Sequence, residues 1–326
     1  MSEKDHSGAA PVSAKLLVAR LTAELQAAEQ VRATERLVLH DGGGREDREL
    51  YDARAEILRL LALRLDMTVS RLRLDLPLLQ LQEADAVWLT DAARRLAADE
   101  PFAYVAGRTD FAGISIRVGP GVLIPRPDSE VLVWQAARII GQEASESRSW
   151  TVLDIGTGSG ALALALQHAV AQTWPRLGLR ILGTERSLEA LAWARLNRRE
   201  QGREESFELV ACDLLPEPQM AADWRADMVL SNPPYIPHAA LRGLEHSVRE
   251  YEPHEALDGG PDGLDCYRRL AALLPAWMRA GAHLLLEHGD RQQTEVEAIM
   301  TQGPFVLERR LQDLAGRPRA LWLRHV

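Results

Sequence analysis

The tetrapeptide Asn232-Pro233-Pro234-Tyr235 follows the hydrophobic run Met228-Val229-Leu230, which reads as a buried parallel strand. Two successive prolines can neither continue a central strand nor enter a helix interior. They stiffen the backbone past the strand, so the Asn232 side-chain oxygen and the Pro233 carbonyl oxygen become two fixed acceptors. A planar NH2 donates two hydrogen bonds, and two acceptors hold it and define its plane. Tyr235 can stack on the flat group beside it. The lone pair of an amide NH2 is delocalised, and hydrogen bonds that twist or polarise the group help to free it. The pattern therefore suits methylation of a planar NH2. By itself it does not choose between an amide and adenine.

A methyl donor needs its own site, and Asp154-Ile155-Gly156-Thr157-Gly158-Ser159-Gly160 supplies the pattern. Strand, tight turn and helix follow one another. The glycines let the backbone turn sharply and approach a ligand closely. Dinucleotide, phosphate and nucleoside binders all use such loops, so the loop alone is weak. The dinucleotide spacing G-x-G-x-x-G is not matched; here it is G-x-G-x-G. Glu185 ends the next strand, where a carboxylate can accept both ribose hydroxyls. Asp213 ends the third, where it can meet an adenine edge. Together they outline a site for adenosine without pyrophosphate. That points to S-adenosylmethionine as cofactor and S-adenosylhomocysteine as product, with no metal.

These residues need a scaffold, and the pattern supplies one. Residues 1–14 are small and polar and read as a disordered tail. Residues 15–100 read as a helical domain, with helices over 15–34, 46–65, 69–81 and 84–98 and a break at Asp41-Gly42-Gly43-Gly44. Residues 101–124 read as a β-hairpin linker built from Tyr104–Gly107, Phe111–Val118 and Gly121–Ile124. Residues 125–326 form the last domain. There Pro125-Arg126-Pro127 stops the chain, and Asp128 or Ser129 caps a helix over Glu130–Ile140. Strands at 151–155, 180–185, 207–212, 227–231 and 283–287 alternate with helices at 161–173, 188–201, 265–278 and 291–300. Such alternation implies an α/β fold, its parallel sheet covered on both faces. Strands at 305–311 and 319–324, with no helix between them, imply an antiparallel edge hairpin.

Composition narrows the partners. The net charge is −9, and the only lysines are Lys4 and Lys15. Arginine is interleaved with acids rather than gathered in a stripe, against the pattern of nucleic-acid binders. No apolar run reaches the roughly 18 residues a membrane helix needs, and the N-terminus lacks signal-peptide order. Cys212 and Cys266 make no disulfide framework and no metal spacing, which fits a reducing cytoplasm. No histidine pair has ligand spacing, and His283 and His288 read as exposed or loop residues.

The motifs occur in one order: Leu123-Ile124-Pro125-Arg126-Pro127, the glycine loop, Ser231-Asn232-Pro233-Pro234-Tyr235-Ile236, Tyr251-Glu252-Pro253, Gly259-Gly260-Pro261-Asp262-Gly263-Leu264, and a closing Asp313-Leu314-Ala315-Gly316-Arg317-Pro318-Arg319. Over about residues 45–326 this resembles the peptide-chain release factor glutamine methyltransferases, the PrmC or HemK family. The resemblance implies a class I, Rossmann-like methyltransferase domain with a mostly parallel seven-stranded sheet, and an N-terminal helical domain that grips the release factor. It implies methyl transfer to the side-chain amide of the glutamine in that factor's Gly-Gly-Gln loop. Asp154, Gly156, Thr157, Gly158, Ser159, Gly160, Glu185, Asp213 and Leu214 would then serve the donor, with Asn232 near both substrates. Asn232, Pro233, Pro234, Tyr235 and Arg126 would hold the glutamine; Asn232, Pro233 and Tyr235 would be its catalytic set. A monomer acting on protein, without nucleic acid or membrane, is expected. Departures stand at Glu185 for a usual Asp, Leu214 for a usual aromatic and Ser129 for a usual Thr. Extra residues near 30–48 and a longer tail bear on partner recognition. The sister family that methylates a ribosomal-protein glutamine, the adenine-amino DNA methyltransferases and a non-catalytic donor-binding scaffold are the rival readings. The Ala-Gly-Arg-Pro-Arg ending, the acidic charge and intact Asn232 weigh against them in turn.

Overall fold

The structure, a computed structural model, describes residues 11–39, 52–143, 149–217 and 224–326, with the side chains of 34–39 left aside. Residues 1–10 and the Asp41–Gly44 break lie outside the described residues. The chain divides into two compact units, Met1–Ala106 and Gly107–Val326.

The first unit holds β1 (Val12–Ser13), α1 (Ala14–Leu39), α2 (Ala53–Arg64), α3 (Val69–Asp75), β2 (Gln80–Leu81), α4 (Glu83–Ala97) and α5 (Phe102–Ala106). Asp52 and Thr68 cap α2 and α3 by accepting from the amides of Ala55 and Arg71 at 3.0 and 3.2 Å. Leu21, Leu25, Ile57, Leu61, Leu72 and Leu89 form its core. Two expectations change. The helix expected over 69–81 stops at Asp75, because Pro77 has no N–H to continue it; the chain then pairs Gln80–Leu81 with Val12–Ser13. Tyr104–Gly107, expected as extended chain, is helical through Ala106. Pro101 starts that turn, its carbonyl accepting from the amides of Tyr104 and Val105 at 2.9 and 3.1 Å.

The second unit opens with the hairpin β3 (Arg108–Phe111) and β4 (Ile114–Arg117), turning through Ala112 and Gly113, both at positive φ. Gly121–Ile124 forms no strand. A 3-10 turn, Pro127–Ser129, runs straight into α6 (Glu130–Glu143). Then follow β5 (Trp150–Ile155), α7 (Ala161–Thr173), β6 (Leu179–Glu185), α8 (Leu188–Glu200), β7 (Phe207–Ala211) and β8 (Ala226–Ser231). The chain continues with α9 (His246–Tyr251), α10 (Asp265–Leu273), β9 (Met278–Glu287), α11 (Gln293–Thr301), β10 (Phe305–Gln312) and β11 (Pro318–His325). The helix expected over 265–278 ends at Leu273, ahead of a turn holding Pro275.

The seven-stranded sheet runs β10-β11-β9-β8-β5-β6-β7. Strands β7, β6, β5, β8 and β9 are parallel, and β11 is antiparallel to both β9 and β10. From β5 the chain builds outward through β6 and β7, then returns to place β8 on the other side of β5. The carboxyl ends of β5 and β8 therefore flank the point where strand order reverses, the usual place for a ligand crevice. All of β8 is buried, as is β9 from Ala282 onward. His283 and His288 are accordingly buried rather than exposed. Strand β9 lies between β8 and β11, and Trp322 Nε1 donates to His283 Nδ1 at 3.1 Å.

Candidate active site

The glycine loop joins β5 to α7. Gly156, Gly158 and Gly160 have φ of 71°, 56° and 82°, values that L side chains rarely adopt. Asp154 is fully buried beneath the loop, and its carboxylate accepts from the Thr157 hydroxyl at 2.6 Å. Burial pushes the Asp154 pKa up to about 6. The loop is tied on two further sides. The amides of Gly156 and Thr157 donate to the Thr184 carbonyl, and Asn197 Nδ2 donates to the Ser159 carbonyl at 2.9 Å. Asp154 and Gly160 shape the loop from below, while Gly156, Thr157, Gly158 and Ser159 line a cavity of about 620 Å³.

Glu185 stands on the wall of that cavity at the end of β6. Its Oε2 accepts from Gly158 N at 3.0 Å and its Oε1 from Ser187 N at 2.9 Å. Asp213 lies two residues beyond the end of β7 and is paired with Arg269 at 2.8 Å. The Arg269 guanidinium holds the Asp213 carboxyl below its ordinary value. Leu214 has φ 64°, and its carbonyl accepts from the Thr184 hydroxyl at 2.6 Å. Five carboxylates line the cavity: Glu185, Glu189, Asp213, Glu255 and Asp258. Its two arginines are already paired, Arg186 with Glu255 and Arg269 with Asp213. This balance suits a cationic ligand and repels a pyrophosphate. The volume lies in the range of small-molecule sites, so a nucleoside carrying a positive sulfonium fits both size and charge.

Across the cavity, Ser231 closes β8 and its hydroxyl donates to the Ile155 carbonyl at 2.9 Å. Asn232 follows, and its Nδ2 donates to Ser129 Oγ at 3.1 Å. Ser129 was expected as a helix cap. Its hydroxyl is instead buried against Asn232 and hydrogen-bonded to the Glu287 carboxylate. Pro125, Ser129, Asn232 and Pro234 line the cavity; Pro233, Tyr235 and Arg126 do not. The Tyr235 carbonyl accepts from Gln292 Nε2 at 2.9 Å. Burial and the nearby Glu287 push its phenol up to about 12, so it stays protonated. Ile236 exchanges backbone bonds with Leu257 and Gly259 at 3.0 and 2.9 Å. A Cβ on Gly259 would lie 2.8 Å from Tyr235 Cα, and one on Gly263 2.3 Å from its carbonyl oxygen. Those glycines let the 259–264 turn press against the Asn-Pro-Pro-Tyr backbone.

Two more ties were not foreseen. Glu252, read as a turn residue, is buried; it accepts from Ile124 N at 3.0 Å and pairs with Arg126. Arg319, in the closing motif, is buried and pairs with Asp128 at 2.8 Å and Asp313 at 3.5 Å. Both fix the segment that carries Ser129. Phe111, Val122, Pro253 and Cys266 also stand on the cavity wall, outside the residues expected there. The Tyr251-Glu252-Pro253 motif was the available signal for the third.

A seven-stranded sheet with an antiparallel edge hairpin, and a glycine loop and strand-end acid at its switch point, define a class I S-adenosylmethionine-dependent methyltransferase. The family model described as Methyltransferase small domain matches residues 129–246. A release factor glutamine methyltransferase of Bradyrhizobium diazoefficiens is 38% identical over 74% of this chain and 78% of its own. That of Moorella thermoacetica is 38% identical over 74% and 80%. That of Geobacter sulfurreducens is 39% identical over 65% and 68%. The chain belongs to the release factor glutamine methyltransferase family.

Proposed function

We propose that the protein methylates the side-chain amide nitrogen of the glutamine in the Gly-Gly-Gln loop of peptide chain release factors, using S-adenosylmethionine. The observation that carries the site reading is the Asn232 side chain. Its NH2 is taken by Ser129, so its oxygen is left to accept on the cavity side. Family membership carries the choice of substrate.

The Gly156–Gly160 loop, Glu185 and the 213–214 segment would hold the donor, with Glu185 supplying two acceptor oxygens for its ribose. Bound there, the donor would supply an electrophilic methyl on a positive sulfonium; the amide nitrogen would bond to that methyl as the C–S bond breaks, leaving S-adenosylhomocysteine as a neutral thioether. The acidic lining favours the charged donor over its neutral product, which aids release. On the acceptor side, Asn232 Oδ1 and the Pro233 carbonyl accept one hydrogen bond each from the glutamine NH2 and fix its plane. Tyr235 packs beside the flat group as a neutral phenol. Arg126, held by Glu252, lies on the segment that carries Ser129. Orientation of this kind supplies roughly 7–11 kcal/mol of barrier reduction. The nitrogen sheds one proton to water after transfer.

The helical unit up to Ala106 is proposed to recognise the factor, acting in the cytoplasm on a protein rather than a nucleic acid, with the enzyme a monomer. The net charge of −9 supports a protein partner. Labelled donor with purified release factor tests the whole reading. Label enters the wild-type factor and not one whose loop glutamine is alanine. Label in that variant, or only in ribosomal protein or DNA, would overturn it.

A further inference from the structure

An asparagine side chain presents two faces of nearly equal shape, an oxygen that accepts and an NH2 that donates. Only the oxygen can hold a substrate NH2. Something must decide which face turns to the cavity, since the wrong one opposes donor to donor.

The deciding groups lie behind Asn232. Ser129 Oγ is 3.1 Å from Asn232 Nδ2, with Ser129 only 3% exposed. A hydroxyl has one proton to give. Here the proton goes to the carboxylate of Glu287, a residue 1% exposed at the end of β9. The register puts it there: Ser231 pairs with Leu286, so Asn232 and Glu287 leave neighbouring strands one step later. In its ionised form, which the pH of the assay must secure, this carboxyl only accepts. Ser129 must therefore donate to it and has only lone pairs to offer Asn232. Asn232 in turn must give its NH2 to Ser129 and aim its oxygen at the cavity. The strand end is itself pinned, with the Tyr267 hydroxyl donating to the Glu287 carbonyl at 3.0 Å.

Resting on the reading of Asn232 as the glutamine's acceptor, we infer that Glu287 is a positioning residue: through Ser129 it sets the direction of the Asn232 amide. Burying an acid with Oε2 unpartnered among the described residues carries a desolvation cost, and directing this relay is the use the geometry offers for it.

A cycle of two substitutions tests the polarity. Glu287→Gln replaces an acceptor-only group with an amide whose NH2 competes with its oxygen for Ser129; where the NH2 faces Ser129, the hydroxyl proton turns toward Asn232 and reverses its amide. Turnover should fall on the order of 10²-fold, as for loss of one oriented group at a reacting centre, with donor affinity by calorimetry unchanged. Asn232→Asp alone sets two carboxylates against one hydroxyl proton and should also lose turnover. Together they restore a consistent relay: the introduced amide donates to Ser129, Ser129 donates to the introduced carboxylate, and its other oxygen still accepts. The double variant should exceed Glu287→Gln alone by about tenfold or more, a coupling that a merely structural role does not give. Losses that multiply, or no loss in Glu287→Gln, would overturn the proposal. Should either variant fail to fold in a thermal melt, Ser129→Ala and Ser129→Thr decide it. Threonine should keep turnover and alanine lose at least about tenfold; equal turnover in the two would overturn it. Asn232→Ala separates the two readings. If it remains active, the site reading itself fails; if it is dead while the cycle multiplies, only the role of Glu287 fails.

Discussion

The two walls of the cavity are built differently. The donor wall is backbone over the buried Asp154: left-handed glycines at 156 and 158, a half-buried Glu185 bonded to two amides, and Asp213 paired with Arg269 in the open. The acceptor wall is a chain of side chains, buried Glu287 and Ser129 behind a half-buried Asn232, braced by Glu252 beneath Arg126 and by Arg319 against Asp128. An exposed polar group that loses its partner finds water; a buried one does not. Damage to the donor wall should therefore weaken binding, and damage to the acceptor wall should slow turnover.

The sharpest way to break this contrast is Asn232→Ala. It removes one of two acceptors without touching the glycine loop. Turnover should drop roughly 10²–10³-fold, the scale for a preorganised group at a reacting centre. Donor affinity, read by calorimetry, should stay within about twofold. Equal losses in both would place Asn232 on the donor wall and erase the distinction.

A second test asks whether the acceptor wall is strained by its burial. Burial pushes Glu287 up to about 7, from an ordinary value of 4.5. The Ser129 hydroxyl, Arg319 on β11 and Arg126 pull it down, Asp128 adds to the rise, and Tyr235, Tyr267 and neutral His288 surround it. The folded chain thus holds a proton that the unfolded chain releases near 4.5. Stability from this group is full below that value and is lost as pH rises toward about 7. Glu287→Gln removes the slope. It should gain up to about 3 kcal/mol relative to wild type between pH 4 and pH 8 in chemical denaturation. Asp154 on the donor wall, raised to about 6 by burial, has the same sign and keeps its slope in both proteins. A pH-independent difference between the two proteins would mean that Glu287 carries no such strain.

The donor wall was the more legible in sequence for the same reason. Its parts sit at the ends of apolar runs, and glycines mark where the backbone must turn. The strands themselves could be read because β5, β6, β8 and β9 carry buried hydrophobic runs, though not their order in the sheet. The acceptor wall was read only where the prolines announced it. Ser129 resembled a helix cap because a cap is the local use of a serine; its partner Asn232 lies 103 residues away. Glu252 resembled a turn residue, yet it closes on Arg126 across 126 residues. His283 carries no local sign of burial, because strand order decides it. At Tyr104–Gly107 the β-prone composition lost to one proline that starts a helix.

The smallest effects belong to the donor wall and differ within it. Glu185 accepts two backbone amides in the loop it faces, so its charge supports both the loop and the donor's ribose. Glu185→Gln swaps one acceptor oxygen for an NH2 that opposes those amides. Donor affinity should fall about tenfold, near 1.4 kcal/mol, with turnover at saturating donor nearly unchanged. Asp213 differs because Arg269 already neutralises it at an exposed site. An exposed pair contributes little, so Asp213→Asn should cost about twofold or less. A loss at Asp213 matching that at Glu185 would mean that Asp213 leaves Arg269 to touch the donor. The donor wall would then depend on a rearranged side chain as well as on its backbone.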